Sequence, residues 1–192
     1  EGFVFDTGPS LLTLPQVYRD FFNKTGKPLD DVLDVVELEP AFAYHWADGS
    51  HALMPGADTS RCADALGDAL GGEAAGAWRS LMARAADMWS LTRRDFLESP
   101  LRGLRPLVRL AADPRNVRTI APWATLRGLG EQMLRDPRLV TLLDRYATYT
   151  GSDPRKAPAV FATIPYVEQT FGAHHVRGGI RVLADAVAQR AI

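Results

Sequence analysis

Cysteine is almost absent from this sequence. Cys62 is the single cysteine, which excludes an internal disulfide and a cluster of thiolate metal ligands. No apolar run approaches the roughly 20 residues that cross a bilayer, and the first residues do not form a signal peptide. The motifs GxGxxG, GxxxxGKS/T, GxSxG and HExxH are missing too. The chain carries no self-contained nucleotide-binding or hydrolase signature, and we expect a soluble or surface-attached cytoplasmic protein.

Lysine is also scarce, because 19 of the 22 basic residues are arginine. The net charge of −1 hides an asymmetry: residues 1–78 hold 4 basic and 13 acidic side chains, whereas residues 79–145 hold 13 and 7. The cationic middle lacks a basic stripe interleaved with aromatics and any zinc-finger spacing, so we expect no nucleic-acid partner. The adjacent His174 and His175 would point to opposite faces of a strand, and we expect no metal site.

What the sequence does contain is typical of a globular protein. It has 192 residues, 46% of them hydrophobic and 23% charged, which is enough for one domain or for parts of two. The chain has no initiator Met, and its first residues read as the interior of a strand. We therefore expect an internal fragment of a longer protein.

The first motif is FDTGPS, residues 5–10. The apolar run Phe3-Val4-Phe5 predicts a short buried strand, and the segment from Asp6 to Pro9 ends it in a sharp turn. A glycine at this place lets a ligand approach main-chain donors closely. The role that we favour for Asp6 itself is structural, as an acceptor of N–H groups within its own turn.

The pattern that follows predicts a helix from Pro15 to Gly26, with Val17, Phe21 and Phe22 as its apolar positions. Residues 42–54 predict a hairpin with a two-residue turn at Asp48-Gly49. That turn would place Phe42, Tyr44 and Trp46 on one face. It would also bring Leu53 and His51 opposite Tyr44 and Trp46.

From residue 59 the apolar spacing is helical as far as about residue 172. A long helix is expected over residues 71–97, and the remaining predicted helices are 103–112, 123–135, 137–150 and 156–171. Three tags, ADPR, RDPR and SDPR, place an aspartate cap before a proline at the first helical position. Pro165 should kink its helix and free a carbonyl group. The glycines of GDALGG, residues 67–72, predict a turn between two helices.

The last segment predicts a strand at 173–176, a Gly178-Gly179 turn and an amphipathic helix with Val182, Leu183, Ala186 and Val187 inward. Strand, double glycine and helix together form a second site of close backbone approach. The motif VRGG, residues 176–179, is weak alone, as is FDTGPS. Their occurrence at the two ends of a helical insert makes them more specific.

In this arrangement GFVFDTGPSLLTLPQVYRDFF resembles the stretch that follows the dinucleotide-binding unit in bacterial phytoene desaturases and related carotenoid desaturases, within the FAD-dependent amine oxidase superfamily. The segment DRYATYTGSDPRKAPAVFATIPYVEQTFGAHHVRGGIRVLADAVAQ resembles a later stretch of the same enzymes. The likeness spans nearly the whole chain and is weak over residues 55–130. The GxGxxG unit that opens the family's FAD-binding domain is missing, so the fragment should be inactive alone.

The resemblance implies an α+β fragment of an α/β flavoprotein, in which a mainly helical substrate lobe is flanked by short strands of an FAD-binding domain. Residues 1–14 and 172–192 would belong to that domain, and residues 15–171 would form the lobe with the hairpin. The implied FAD contacts are Asp6, Thr7, Gly8, Pro9, Ser10, Arg177, Gly178 and Gly179. The implied substrate contacts are Tyr149, Phe161 and His175.

The implied activity is desaturation of a polyene such as phytoene, with FAD as hydride acceptor and without an assigned catalytic residue. Since such a substrate is dissolved in the lipid bilayer, we expect peripheral contact with the inner face of the membrane. A face with Leu101, Leu104, Val108 and Ala111, beside Arg102, Arg105 and Arg109, is compatible with this contact. The alternatives are an amine oxidase-like flavoenzyme, a polyene isomerase or saturase, and a non-catalytic helical lipid-binding domain.

Overall fold

Helices and short antiparallel strands alternate at the two ends of the chain, and helices alone fill the middle. The computed structural model describes residues 2, 6, 8–100, 103 and 105–192. The predicted strand at Phe3-Val4-Phe5 lies outside these residues. The strands are β1 (Val35–Glu37), β2 (Phe42–His45), β3 (His51–Met54) and β4 (His174–Val176). This composition confirms the predicted α+β class.

The helices of the described chain differ widely in length. They are α1 (Pro15–Thr25), α2 (Thr59–Leu70), α3 (Gly72–Thr92), α4 (Arg105–Ala111), α5 (Pro114–Ile120), α6 (Leu126–Met133), α7 (Pro137–Asp144), α8 (Thr163–Phe171) and α9 (Arg181–Arg190). A π-helical turn, Arg93–Leu97, extends α3, and 3₁₀ turns occupy Leu29–Asp31, Arg145–Thr150 and Ala159–Ala162. No described helix is long and apolar enough to cross a membrane.

Two compact units are distinguishable. Unit 1 comprises Glu1–Tyr44, Leu53–Asp58 and Val167–Ile192, and unit 2 comprises His45–Ala52 and Thr59–Tyr166. In unit 1, β1 and β4 pair antiparallel with Val35 opposite Val176. On the other edge of β4, Leu12 exchanges two main-chain hydrogen bonds of 2.9 Å with His174. Strand β4 therefore lies between β1 and Leu12, which is two residues after the first motif.

The core of unit 1 gathers side chains from all parts of this arrangement. Its buried members are Leu12, Phe22, Leu29, Val176, Leu183 and Ala186. Helices α1 and α9 thus bury one face each, as predicted for both. The face of α1 is narrower than predicted, because Val17 is 62% exposed and Phe21 38% exposed.

Unit 2 is built on the antiparallel pair α2 and α3, which the glycine turn at residues 71–72 joins as predicted. The inward stripe of α3 is confirmed at Trp78, Leu81, Met82, Ala85 and Met88, which are all buried. Helices α6 and α7 form a second pair, whose buried residues include Leu126, Leu129, Leu139 and Leu143. Leucines at helical spacing therefore form this core.

The aspartate caps are confirmed at two of the three tags. Asp113 accepts the main-chain N–H of Arg115 at the start of α5, and Asp136 does the same for Arg138 at the start of α7. Asp153 accepts the N–H of Arg155 at 2.9 Å, but no helix begins there. The sequence also missed α5, although its cap was recognised.

The predicted helix over residues 156–171 is wrong in its first half. Leu126 donates its N–H to the carbonyl of Ala157, and Ala159 donates to Ala124. These bonds hold Pro158 in an extended conformation beside Thr125, at the start of α6. Helix α8 begins only at Thr163, so Pro165 lies in its first turn. There the missing N–H breaks no helical bond, and the predicted kink is absent.

The hairpin forms where predicted, but its turn is wider than the predicted two residues. The N–H of Trp46 donates to the carbonyl of Ser50 at 2.9 Å, and the rings of His45 and His51 stack with centroids 6.0 Å apart. Asp48 accepts both the N–H and the Oγ–H of Ser50. This side-chain closure stabilises a turn over residues 46–50 in place of the tight one.

The wider turn shifts the pairing of the strands by one residue, which exchanges the faces of β3. Ala52 and Met54 are buried, at 3% and 2% exposure, whereas Leu53 is 57% exposed. The predicted pairing of Leu53 with Tyr44 is therefore wrong. Phe42 and Tyr44 do share a face, with ring centroids 6.1 Å apart.

Candidate functional site

The candidate site is the place in unit 1 where the first and last motifs meet. The carboxylate of Asp6 accepts the main-chain N–H of Ile180 at 2.9 Å and that of Arg181 at 3.4 Å. These are the amides at the start of α9, where the helix has no intrahelical acceptors for them. Asp6 therefore has a structural role, as expected, but the amides that it accepts among the described residues lie 174 and 175 positions away along the chain.

The glycine turn between β4 and α9 is shaped to admit this carboxylate. Gly178 and Gly179 have φ angles of +88° and +92°, in the left-handed region that side chains disfavour. A Cβ on Gly179 would stand 2.6 Å from Oδ2 of Asp6, and one on Gly178 would stand 3.0 Å from Cγ2 of Val182. Both glycines are thus required by conformation, and Gly179 also by contact.

Strand β4 fixes the other end of this turn. Arg177 donates its main-chain N–H to the carbonyl of Asp34 at 3.0 Å, and its Nε lies 2.6 Å from Oδ2 of the same residue. Both side chains are more than half exposed, so the ion pair orients the guanidinium more than it stabilises the fold. Asp34 gave no signal in the sequence, because its partner is distant along the chain.

The surface beside this turn consists largely of main chain. Gly8, Pro9 and Ser10 are exposed, as is Gly178, and apart from its chain neighbours no described residue has an atom within 4 Å of the place of a Gly8 Cβ. The first two amides of α9 are already bonded to Asp6, so they are not offered to a phosphate group. Open glycine main chain leaves room for a ligand to approach closely. Thr7 lies outside the residues that the structure describes.

The two histidines of β4 face opposite ways, as their spacing predicts. His175 is exposed, whereas His174 is only 8% exposed. The Nδ1 atom of His174 is buried and has no hydrogen-bond partner within the described part of the chain. Gly172 lies beside this ring, since a Cβ there would be in van der Waals contact with Cε1 of His174 at 3.4 Å. The predicted substrate contact is thus the exposed His175, and its buried neighbour gave no signal in the sequence.

The predicted substrate contacts in unit 2 lie on two 3₁₀ turns that touch each other. Tyr149, in Arg145–Thr150, is 51% exposed. Its ring stacks on the buried Tyr146 with centroids 5.9 Å apart, and the guanidinium of Arg145 lies over both rings. Phe161, in Ala159–Ala162, is half-buried. The two residues can thus contribute to one aromatic surface.

The clearest electrostatic shifts lie elsewhere, at the aspartates of unit 2 that precede proline. The hydrogen bonds from the side chain and the main-chain N–H of Arg155 lower the pKa of Asp153 to about 2. The side chain of Arg138 likewise lowers the pKa of Asp136. Arg138 also bonds Asp48 of the hairpin turn at 3.0 Å. These carboxylates have a structural role, since each is held charged by its own arginine.

No family model matches the chain. A curated relative named 4,4'-diapolycopene oxygenase, from Methylomonas sp, is 27% identical over 193 residues, which cover 100% of this chain and 38% of the relative. A 4,4'-diapophytoene desaturase (4,4'-diaponeurosporene-forming) of Staphylococcus aureus (strain Newman) is 27% identical over 195 residues, covering 98% and 37%. The resemblance to carotenoid desaturases is thereby confirmed over nearly the whole chain. The chain spans less than two fifths of the length of these relatives.

Proposed function

We propose that this carotenoid desaturase-like chain supplies part of the flavin site and the helical substrate lobe of an FAD-dependent polyene desaturase. The observation that supports the proposal is the contact between Asp6 and the start of α9, which brings the glycine-bearing segments of both motifs together. The relatives act on diapocarotenoids according to their names. An apolar polyene is therefore the substrate class that we assign.

The residues that would hold the FAD are those of the open main-chain surface: Gly8, Pro9, Ser10 and Gly178, with Gly179 and Arg177 beside them. Asp6 contributes by fixing the turn and not by proton transfer, because its carboxylate is engaged with two amides. The chemistry that FAD would supply when bound is hydride acceptance from an allylic C–H bond, with the proton of the neighbouring carbon released to solvent, so that a single bond becomes a double bond.

The substrate-binding part of the site has to orient the polyene and exclude water. It needs few charged groups, because a polyene has no polar group to bind. In unit 2, Tyr149 and Phe161 present aromatic surface for this purpose. His175 is exposed and lies three residues before the glycine turn. We assign it to the substrate, as the resemblance implies.

The test is expression of the complete reading frame together with a polyene precursor. We expect a purified protein with flavin absorbance and new products whose absorption maxima are shifted to longer wavelength by extended conjugation. A precursor recovered unchanged by a flavin-loaded protein would contradict the substrate. A protein without flavin would contradict the whole proposal. Oxygen in the product would favour the oxygenase reaction named for the Methylomonas relative.

We also propose a peripheral membrane contact through α4. Leu107 and Val108 are 46% and 66% exposed, and no residue of α4 is buried. Arg105 and Arg109 flank them, although Arg109 is ion-paired with Asp95. Exposed apolar side chains between arginines suit the interface of an anionic membrane. Arg102, Leu101 and Leu104, which the sequence assigned to the same surface, lie outside the described residues.

Flotation with anionic vesicles tests this contact. We expect the double substitution L107S/V108S to reduce vesicle binding several-fold at low salt, because each lost apolar side chain removes insertion energy. Val17→Ser, which alters an equally exposed valine in unit 1, is the matched control and should bind like the wild type. Equal binding of all three proteins would contradict the proposed contact.

A further inference from the structure

The contact of Asp6 with α9 has a consequence for how the flavin surface is formed. Ile180, at the position where a capping side chain would stand, offers none, and α9 has no capping hydrogen bond from its own sequence. The carboxylate of Asp6 takes that place from the other end of the chain. A helix N-terminus without such an acceptor loses about 1 kcal/mol, which corresponds to a several-fold change in an equilibrium constant.

The fit between the carboxylate and the glycine turn is close enough to be specific. Oδ1 and Oδ2 of Asp6 each bond a different amide, and both oxygens lie within 3.2 Å of the place of a Gly179 Cβ. Any side chain at Gly179 would displace the carboxylate. Gly8, which belongs to the open surface, is only two residues from Asp6. The position of the first motif is therefore coupled to the conformation of the second.

From this geometry we infer that Asp6 is a positioning residue, which closes the Gly178-Gly179 turn on the first motif before any cofactor arrives. The inference rests on the proposed function, because it assigns the resulting surface to the flavin. A surface that is formed in advance binds its ligand without the further cost of ordering the chain. The apparent affinity is proportional to the fraction of molecules in which the surface is formed, so opening of the turn weakens binding. Asp6 would thus act on FAD affinity without contacting the reacting atoms.

Hydrogen exchange of the full-length protein without flavin provides the first measurement. We expect Asp6→Ala to accelerate exchange of the Ile180 and Arg181 amides about fivefold, as the loss of a cap predicts. Asp6→Asn, which retains an acceptor oxygen, should restore most of the protection. Asp185→Ala is the control, because it removes an exposed carboxylate from the same helix without touching these amides. Unchanged exchange in Asp6→Ala would overturn the inference.

Flavin binding provides the second measurement. We expect Asp6→Ala to weaken FAD binding about three- to tenfold, with rescue by Asp6→Asn and no effect of Asp185→Ala. Faster exchange with unaltered FAD affinity would show a cap without a positioning role, and would also overturn the inference. A wild-type protein that binds no flavin would refute both the proposed function and the flavin part of this inference. The hydrogen-exchange result would still show whether Asp6 closes the Gly178-Gly179 turn.

A double-variant cycle isolates the contact itself. Gly179→Ala places a Cβ where the Asp6 carboxylate stands, so it should open the turn in the wild-type background. In the Asp6→Ala background that clash is gone, and only the backbone strain of a positive φ remains. We therefore expect the double variant to exchange no faster than Gly179→Ala alone. Effects that multiply would show that the two residues act independently.

Discussion

The two units achieve stability in opposite ways. Unit 1 is assembled from three separate segments of chain, and its main contacts join residues that are more than 130 positions apart, such as Leu12 with His174 and Asp34 with Arg177. Unit 2 is nearly continuous, and its helices pair with their neighbours in sequence. The predicted flavin contacts fall in unit 1, and Tyr149 and Phe161 fall in unit 2.

This difference shows what each unit requires of its sequence. Local helix pairs are specified by apolar spacing and by caps that lie within a few residues. A unit closed by distant segments depends instead on single polar contacts that have no local signal. We therefore expect substitutions to act differently in the two units. The four predictions below test this comparison, and peptides of each unit can be followed separately by hydrogen exchange.

The largest effects should come from the two cores. Trp78 of unit 2 and Phe22 of unit 1 are both 0% exposed, and truncation of either to alanine should cost about 3–5 kcal/mol in the free energy of unfolding. The exposed Trp123 and the half-exposed Phe21 are the matched controls, at 69% and 38% exposure, and should cost less. Urea unfolding gives the magnitude.

Hydrogen exchange of the same core variants tells where the loss falls. We expect Trp78→Ala to reduce protection in peptides of unit 2 first, and Phe22→Ala in peptides of unit 1. A uniform loss across both units in either variant would show that they unfold as one cooperative structure. The two units would then not differ in stability, contrary to the expectation.

The ion pair between Arg127 and Asp144 gives the next largest effect. Nε of Arg127 lies 2.6 Å from Oδ2 of Asp144, whose side chain is 10% exposed, whereas that of Arg127 is 38% exposed. Asp144→Ala leaves the guanidinium half in water, so we expect a loss of about 2 kcal/mol, below the value for a fully buried pair. Glu131→Ala, which removes the exposed partner 3.9 Å from the same arginine, should change the urea midpoint little. Equal losses of stability in Asp144→Ala and Glu131→Ala would contradict a stabilising role for the pair of Arg127 with Asp144.

In unit 1 the corresponding link is Arg190, near the end of the chain. Its guanidinium bonds the carbonyls of Thr25 and Lys27 and lies 4.8 Å from the centroid of the Phe22 ring. We expect Arg190→Ala to cost about 1–2 kcal/mol, because the carbonyls at and just after the end of α1 lose their hydrogen-bond donor and the Phe22 ring loses its cation. Arg181→Ala, on the same helix with a 78% exposed side chain, is the control. If both variants unfold at the same urea concentration, the distant link contributes nothing.

The smallest effect is the response of unit 2 to acid. The pKa of Asp153 is lowered to about 2 from an ordinary value of 3.8, and those of Asp48 and Asp136 are also lowered. A carboxyl whose pKa is lower in the folded state stabilises the fold above the unfolded pKa. This stabilisation is lost as the pH falls through the folded pKa. We therefore expect unit 2 to lose stability between about pH 4 and pH 2.

Urea midpoints measured over this range for the wild type and for Asp153→Asn test the expectation. The variant cannot lose a charge at this position, so its midpoint should fall less steeply than that of the wild type. Asp185→Asn controls for the removal of one surface carboxylate. Parallel curves for the wild type and Asp153→Asn would contradict the role of the Arg155 pair.

The sequence predicted local structure better than it predicted pairing. Pro15, Gly26 and the caps at Asp113 and Asp136 were each readable, because their effects extend over fewer than five residues. The turn around Asp48 was not readable from the sequence, because the hydrogen bonds from Ser50 to the Asp48 carboxylate compete with the two-residue turn. The register of β3, and hence the burial of Met54, followed from that competition.

The candidate site was predicted as two glycine turns and not as one structure. Nothing in the neighbourhood of Asp6 indicates that its carboxylate caps α9, because the partner amides are specified by folding and not by sequence spacing. Leu14 illustrates the same limit. It adopts φ of +58° directly before Pro15, where a proline disfavours this conformation in the preceding residue. Only the surrounding contacts can impose such a backbone.

The central place of β4 in unit 1 imposes an order on synthesis. Neither Leu12 nor β1 can complete its pairing until His174 has left the ribosome, and by then all of unit 2 has already emerged. The apolar side chains of α1 thus stay without their partners in α9 while more than a hundred further residues are translated. Unit 2, whose contacts are mostly local, can fold during that time. A nascent chain stalled before residue 174 would carry a folded insert between two unclosed ends.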